Sequence, residues 1–454
     1  MRPLLSKTTY MYGMQCHKRF YLNRFHKNLA NPEDEASQAI FQAGTDVGVL
    51  AQDLFPGGAN AQGEEEWHSE KTVQNTAALL NTHDIIYEAA FMFNGVICAV
   101  DILVRQGNTY YAFEVKATNV VKPQHIEDAA LQYYVLSNNG LNLGDFSILH
   151  LNREYVRIGD LNLAELFTPT SVLSEVLEKQ TFIPKNIADF KKLIYLKSIP
   201  DIEMGAHCNQ PYACNFSNYC LSLMPQEEPQ EQEVLNAEVT LNQAAWNAFK
   251  ENFTYPLFFF DFETVMYGVP VFNFSRPYQN IPFQYSLHVL VNEHAKVLHH
   301  SYLGDGVQDP RPDLITQMIR DLGTVGTILT WNMSFEKGVI AKLAIDFPEY
   351  EADLMNIHGR IVDLMNPFRP SQAVVYSEAF AGSYSIKKVL PIMVPELSYQ
   401  NLQIQEGGTA SFMYGQMMTL DEEARAQLRK DLLAYCHLDT LAMVKIWQRV
   451  EELV

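Results

Sequence analysis

Cysteine is scarce in this chain: six in 454 residues, and unevenly placed. That excludes a scaffold held together by disulfides. Long apolar runs are also missing, so no segment reads as a bilayer span and no membrane partner is expected. The start, Met1-Arg-Pro-Leu-Leu-Ser-Lys-Thr8, lacks a signal-peptide core, which points to the cytoplasm. Positive charge is in deficit: 33 Lys and Arg stand against 53 Asp and Glu, a net charge of −20. A protein that coats polyanions through its overall charge is therefore excluded. An enzyme whose carboxylates hold metal ions, with basic surface only locally, is not. Arg2, Lys7, Lys18, Arg19, Arg24 and Lys27 form one such local patch, which reads equally as a solvated helix face.

The length suits two or three domains. Apolar spacing predicts helices over 8–30 and 34–55, with a loop at 57–66. Strands are expected at Ile85–Ala90, Val96–Arg105 and Thr109–Lys116, separated by turns at Asn94-Gly95 and Gly107-Asn108. A helix over 123–138, a strand over 146–151 and helices over 161–180 and 185–197 follow. The acidic, Pro-containing stretch 225–240 reads as a linker between a domain at 1–224 and another at 241–454. In the second, a helix is expected at 241–252. Strands are expected up to Glu263 and at 283–291, 297–303 and 326–331, and helices at 311–322, 335–346 and 421–452.

Asp261 and Glu263 end the apolar run Phe258-Phe-Phe-Asp-Phe-Glu-Thr264. Residues two apart on a strand share a face, so the strand delivers two carboxylates to one place. Two close like charges are unfavourable unless one is protonated or a cation lies between them. A hard divalent ion such as Mg²⁺ or Mn²⁺ takes oxygen ligands of this kind.

A second group lies upstream. Asp101 interrupts the apolar strand Ile97–Val104, and Glu114-Val-Lys116 closes the next one. Two acids can hold a divalent ion while the lysine orients water and offsets phosphate charge. A cross-strand salt bridge would account for Glu114 and Lys116 but not for Asp101, whose burial is costly without a partner.

With Gln132-Tyr133 on the following helix and the opening segment Leu5–Leu22, this part of the chain resembles the PD-(D/E)XK nucleases of the RecB and CRISPR-associated exonuclease type. The resemblance implies that Asp101 and Glu114 hold metal, that Lys116 assists catalysis and that Gln132 supports them. The chain departs from the pattern at Gly48, where relatives carry a metal-binding His, and at Leu136, where they carry Tyr. Cys208, Cys214 and Cys220 crowd thirteen residues, and Cys16 lies far upstream. Some of these nucleases close the domain with one early and three late cysteines around an iron–sulfur cluster. That implies Cys16, Cys208, Cys214 and Cys220 as ligands of a 4Fe-4S cluster, with Zn²⁺ or unligated thiols as the alternatives.

Three further features follow the Asp-x-Glu strand: Thr330-Trp-Asn-Met-Ser-Phe-Glu336, Arg360-Ile-Val-Asp363 and Tyr435-Cys-His-Leu-Asp439, the last on an amphipathic helix. The set resembles the DnaQ-like three-prime-to-five-prime exonucleases on a ribonuclease H-like fold. The resemblance implies Asp261, Glu263, Glu336 and Asp439 as ligands of two metal ions, with Tyr435 orienting the attacking water. Glu336 stands where the family has Asp, and His437 is two residues before Asp439 rather than five. Asp363 reads equally as a brace of the fold, and Lys387 and Lys388 equally as phosphate contacts or solvated lysines.

Taken together the chain resembles a bacterial family that joins a RecB-like half to a DnaQ-like half. The expected fold is α/β: a PD-(D/E)XK nuclease-like domain followed by a ribonuclease H-like exonuclease domain. The expected function is metal-dependent hydrolysis of nucleic acid, single-stranded DNA from the 3′ end first and RNA second. A binding module without turnover, serving a repair or defence assembly, is the reading from another class.

Overall fold

The computed structural model describes residues 5–32, 35–63, 69–224 and 238–454. Arg2 of the basic patch, the end of the expected 57–66 loop and residues 225–237 of the expected linker lie outside the described residues. The protein is mixed α/β with several sheets. It divides into two compact units, Met1–Glu227 with Gly268–Tyr278, and Glu228–Tyr267 with Gln279–Val454. Two details correct the expected boundaries. The segment Gly268–Tyr278 belongs to the first unit, where Arg157 Nη1 donates to the carbonyl of Pro270 and Gly159 N to Asn273 Oδ1. Residues 239–241 are already folded into the second unit, since Val239 and Leu241 pack against its core.

The first unit is built on seven strands: β1 (Leu5–Ser6), β2 (Ala59–Asn60), β3 (Ile85–Phe93), β4 (Val96–Gln106), β5 (Thr109–Lys116), β6 (Leu143–Leu151) and β7 (Phe167–Ser171). The order is β2-β3-β4-β5-β6-β7, with β1 parallel to β4 at Leu5↔Val96 and Ser6↔Ile97. Its helices are α1 (Lys7–Gln15), α2 (His17–Phe25), α3 (Glu35–Gln52), α4 (Glu70–Leu79), α5 (Pro123–Asn138), α6 (Leu163–Leu166), α7 (Leu173–Lys179), α8 (Ile183–Leu193) and α9 (Ser217–Ser222). Strand β4 is apolar and buried along most of its length because both its faces are covered, and Asp101 is the polar interruption. One core gathers Leu5, Tyr10, Phe20, Val100, Leu131 and Phe146.

Three sequence expectations change here. The single helix over 8–30 is two helices, broken at Cys16, whose backbone is extended (φ −162°, ψ 123°). The helix over 161–180 is α6, the edge strand β7 and α7. Pro169 suits an edge strand, where one missing N–H does no harm, and would break a helix. The basic patch is split: Lys18 and Arg19 are buried, while Arg24 and Lys27 are exposed. Lys18 donates to the carbonyl of Ile202 and Arg19 to Asn215 Oδ1.

The second unit opens with β8 (Thr240–Leu241), which pairs with β14 (Val375–Tyr376). Its main sheet comprises β9 (Leu257–Met266), β10 (Asn280–Leu290), β11 (Leu298–Leu303), β12 (Thr327–Thr330) and β13 (Ile361–Asp363), in the order β11-β10-β9-β12-β13. β9 is central, antiparallel to β10 and parallel to β12. Its successive phenylalanines serve cores on opposite faces: Phe258 and Phe260 one, Phe259 the other. The helices are α10 (Gln243–Lys250), α11 (Arg311–Leu322), α12 (Met333–Asp346), α13 (Glu351–Arg360), α14 (Ile386–Met393), α15 (Gly407–Gln416) and the long α16 (Glu422–Glu451). Gly326, just before β12, has φ +98°, and a Cβ there would stand 2.4 Å from the Pro256 carbonyl, so only glycine fits. Among the described residues no helix is long and apolar enough to cross a membrane.

Candidate metal centres

In the second unit, β9 presents Asp261 and Glu263 on one face, as the alternation requires. Glu336 reaches them from α12. That helix begins at Asn332 in the left-handed region (φ 87°), a conformation Asn tolerates better than most residues. Asp439 and Tyr435, one turn apart on α16, complete the group. Asp439 Oδ1 accepts a 2.7 Å hydrogen bond from Tyr399, while Oδ2 is buried with no hydrogen-bond partner. Glu336 Oε2 is likewise buried without a partner. Asp261, Glu263 and the thiol of Cys436 each offer a ligand atom, all within 4.8 Å of one another.

Burial, then Asp439, Glu263 and Glu336, push Asp261 well above the ordinary carboxylate range. Burial and Asp439 lift Glu263 to about 8, with Lys387 acting the other way. Glu336 is lifted by burial to about 8 and Asp439 to about 7. Lys387, whose Nζ is anchored 2.6 Å from the Gln405 carbonyl, offsets Glu263 and Asp439. The same burial and acids push the Cys436 thiol well up. Gly407, at the start of α15, lies so near that a Cβ there would stand 3.5 Å from Glu263 Oε2 and 3.9 Å from the Tyr435 hydroxyl.

Asp363 is close enough to help raise Glu336, but its own oxygens are engaged by the fold. Its Oδ1 accepts from the backbone N of Asn332 (3.2 Å) and of Met365 (3.0 Å), and its Oδ2 lies 3.4 Å from Arg369. It braces the turn that starts α12. Lys388 is exposed. Neither Tyr399 nor Gly407 was assigned a part in the site by sequence, because a lone tyrosine and a glycine opening α15 carry no metal-ligating group to mark them.

In the first unit, Glu114 is the hub. Its Oε1 accepts from Lys7 and Lys116, each at 2.7 Å, and its Oε2 from Gln132 at 2.8 Å. Asp128, one turn before Gln132 on α5, binds Lys116 at 2.7 Å and Gln132 at 3.1 Å. Asp101 Oδ2 accepts from the backbone N of Val115 at 2.5 Å. The β3–β4 register passes from Tyr87↔Ile102 to Ala89↔Val100. Glu88 therefore stands opposite Asp101, with a left-handed φ of 52°. Burial, then Glu114, lifts Glu88 to about 7, and burial, then Glu114, pushes Asp101 well up. Although burial opposes it, Lys116 and Lys7 hold Asp128 below its usual range.

Asp101, Glu114, Lys116 and Gln132 thus lie near one another. Lys7, Glu88 and Asp128 were missed. Lys7 is delivered by the short β1 and the Ser6 cap of α1 (Ser6 Oγ accepts from Thr9 N, 3.1 Å), a contact 107 residues away from Glu114. Glu88 left one usable signal, an acid inside the apolar Ile85–Phe91. Gly48 lies on α3, where an added Cβ would meet open space.

The four cysteines Cys16, Cys208, Cys214 and Cys220 line one cavity, with Lys18, Arg19, Met204 and Phe216 around them. All are free thiols. Cys208 and Cys214 are joined by a 2.8 Å backbone hydrogen bond, and Gln15 ties α1 to this segment through the carbonyls of His207 and Tyr212. Four thiols converging from the two ends of the unit suit a 4Fe-4S cluster or Zn²⁺. Cys98 is buried in the core, away from this set.

A third set lies in the second unit: His288, His299 and His437. Burial lowers His288 to about 3 and His299 to about 4.

The family model for a domain of unknown function, DUF2779, matches residues 258–385. That span holds Asp261, Glu263, Glu336 and Asp363, and stops short of Tyr399 and α16. Among curated proteins, the "Uncharacterized protein MG366 homolog" of Mycoplasma pneumoniae is 28% identical over 222 residues. "Uncharacterized protein MG366" of Mycoplasma genitalium is 27% identical over 227 residues. The matches cover 45% and 46% of this chain, and 33% of each relative, so the chain spans about a third of the length of the curated relatives it matches.

Proposed function

We propose that the chain is a metal-dependent nuclease whose second unit hydrolyses single-stranded DNA from the 3′ end, on a DnaQ-like site in a ribonuclease H-like fold. One observation carries this reading: Glu263, Glu336 and Asp439 are buried beside the half-buried Asp261, Lys387 offsets only Glu263 and Asp439, and one oxygen each of Glu336 and Asp439 lacks a hydrogen-bond partner. Such an excess of buried negative charge is stable only with protons or cations. Two divalent ions such as Mg²⁺ or Mn²⁺ held by these carboxylates would supply Lewis-acid stabilisation of the attacking and leaving oxygens of a phosphodiester.

The chain's own groups have defined parts. Tyr399 fixes the Asp439 carboxylate. Tyr435, whose phenol is pushed well up by burial and then by Asp439, stays protonated and can hold and orient a water but not deprotonate it. Lys387 places a positive charge beside the acids, where a phosphate oxygen would come.

The first unit supports a PD-(D/E)XK-type site, with Asp101, Glu88 and Glu114 as metal-holding acids. Lys7 and Lys116 both close on Glu114 Oε1. That pairing already balances much of the charge and favours a second reading for this unit, gripping of nucleic acid. The thiol cavity fits a 4Fe-4S cluster tying the ends of the first unit together, with Zn²⁺ as the alternative. The test is hydrolysis of 5′-end-labelled single-stranded DNA and RNA with Mg²⁺ or Mn²⁺, by the wild type and Asp261→Asn. The reading predicts a ladder shortening from the 3′ end that Asp261→Asn abolishes. Lack of hydrolysis of either substrate with either ion would overturn it.

A further inference from the structure

His288, His299 and His437 come from three elements. The β10–β11 register pairs His288 directly with His299, so both side chains leave the same face of the sheet. His437 comes down from α16. The three rings sit edge to face or tilted, with centroids 4.5 Å (His288–His299), 4.8 Å (His288–His437) and 4.4 Å (His299–His437) apart. Each ring offers a nitrogen, and the three nitrogens lie within 4.8 Å of one another.

Hydroxyls hold this arrangement from behind. Thr440 Oγ1 lies 2.8 Å from His288 Nδ1, and Ser286 Oγ lies 3.0 Å from His299 Nε2. The two hydroxyls are 2.6 Å from each other. Ser286 and Thr440 are fully buried, so neither is oriented by solvent. Outer groups that hydrogen-bond an imidazole and fix its orientation are characteristic of metal-ligating histidines. Ser286 also stands opposite Asp261 in the β9–β10 register. The histidine set therefore lies one step along the same sheet face from the carboxylates, but shares no residue with them.

The geometry points to a second, nitrogen-ligated metal site at His288, His299 and His437, taking a borderline divalent ion, Zn²⁺ before others. Three imidazoles and no carboxylate suit Zn²⁺, Cu²⁺ or Ni²⁺ and not Mg²⁺. Tetrahedral Zn–N bonds of about 2.0–2.1 Å set the nitrogens roughly 3.3 Å apart, so modest ring rotations close the present set. His288 is buried and His299 exposed, which leaves the fourth position facing solvent. Sites of that kind keep a water on the metal. A plain hydrogen-bonded histidine cluster is the competing account, and it predicts no metal.

The test uses the full chain. Wild type, His299→Ala and His437→Ala are equilibrated with Zn²⁺ and desalted. Zinc per chain is then measured by elemental analysis, and thermal unfolding is followed with and without added Zn²⁺. The thiol cavity is unchanged in every sample, so its zinc cancels in the comparison. The expected result is one fewer zinc per chain in each variant, and loss of the part of the zinc-induced rise in Tm that this site contributes. Thr440→Val, which keeps all three rings, should weaken zinc binding roughly 10–100-fold. His299 is exposed, so its variant tests binding without disturbing the core. Equal zinc content and an equal Tm response in wild type and both histidine variants would overturn the proposal.

Discussion

Tyr399 donates its phenolic proton to Asp439 Oδ1 at 2.7 Å across 40 residues of sequence, leaving Asp439 Oδ2 as the oxygen with no partner. The tyrosine thereby decides which way the carboxylate turns. Tyr399→Phe should leave the fold intact and weaken divalent-ion binding by about 10–100-fold, as loss of an outer hydrogen bond does. The check is the Mn²⁺ concentration giving half-maximal hydrolysis, which should rise while activity at saturating Mn²⁺ largely returns.

The buried acids make a signed pH prediction for the metal-free protein. Glu263 and Glu336, at about 8, and Asp439 and Glu88, at about 7, titrate near 4 when unfolded. The folded state therefore binds more protons than the unfolded one. These groups contribute most below pH about 4, and the contribution is lost as pH rises through 7 to 8. The depressed His288, His299 and His125 act oppositely, but only below about 6.5, where unfolded histidine gains its proton. Between pH 6.5 and 8 the acids act alone, so Tm should fall with rising pH. Saturating Mn²⁺ or Glu263→Gln should flatten that fall. A Tm that rises over this interval in metal-free protein would contradict the assignment.

Lys116 touches both Glu114 and Asp128 at 2.7 Å. In an Asp261→Asn background only the first unit can cut. If it does, Lys116→Ala should lower the remaining cleavage by ~10²–10⁴-fold, the usual worth of a group that orients or activates water. Binding of single-stranded DNA should weaken only modestly and become less salt-dependent. No cleavage in the Asp261→Asn background, with DNA binding retained, would assign the first unit to gripping.

Cys214→Ser removes one of four converging thiols. Anaerobically purified wild type should be brown, with broad absorbance near ~400 nm from thiolate-bound iron. The variant should be bleached and unfold at a lower temperature, because the ends of the first unit lose their tie. Colourless wild type carrying stoichiometric zinc in this cavity would replace the cluster with a zinc site.

Much of this was legible locally. The strand β9 announces itself through an apolar run of phenylalanines ending in an acidic pair, and α16 through its amphipathic repeat. Asp101 and Glu114 follow from acids placed on well-marked strands, and Gln132 from the resemblance to PD-(D/E)XK nucleases. What escaped depends on distant pairing. Lys7 lies beside Glu114 only because β1 pairs with β4, and Glu88 faces Asp101 only through the β3–β4 register. Tyr399, and Gly407 at the start of α15, carry no metal-ligating group to mark them. Strand β7 was hidden by apolar spacing that also fits a helix, with Pro169 the overlooked objection.

The central claim is that the buried carboxylates of the second unit hold divalent ions. Mn²⁺ titration followed by electron paramagnetic resonance tests it most directly, in a chain carrying Asp101→Asn so that the first cluster is weakened. The account predicts about two bound Mn²⁺ per chain, the number a paired-ion phosphodiesterase site holds, and their loss when Asp261→Asn is added. Identical Mn²⁺ binding with and without Asp261→Asn would contradict it.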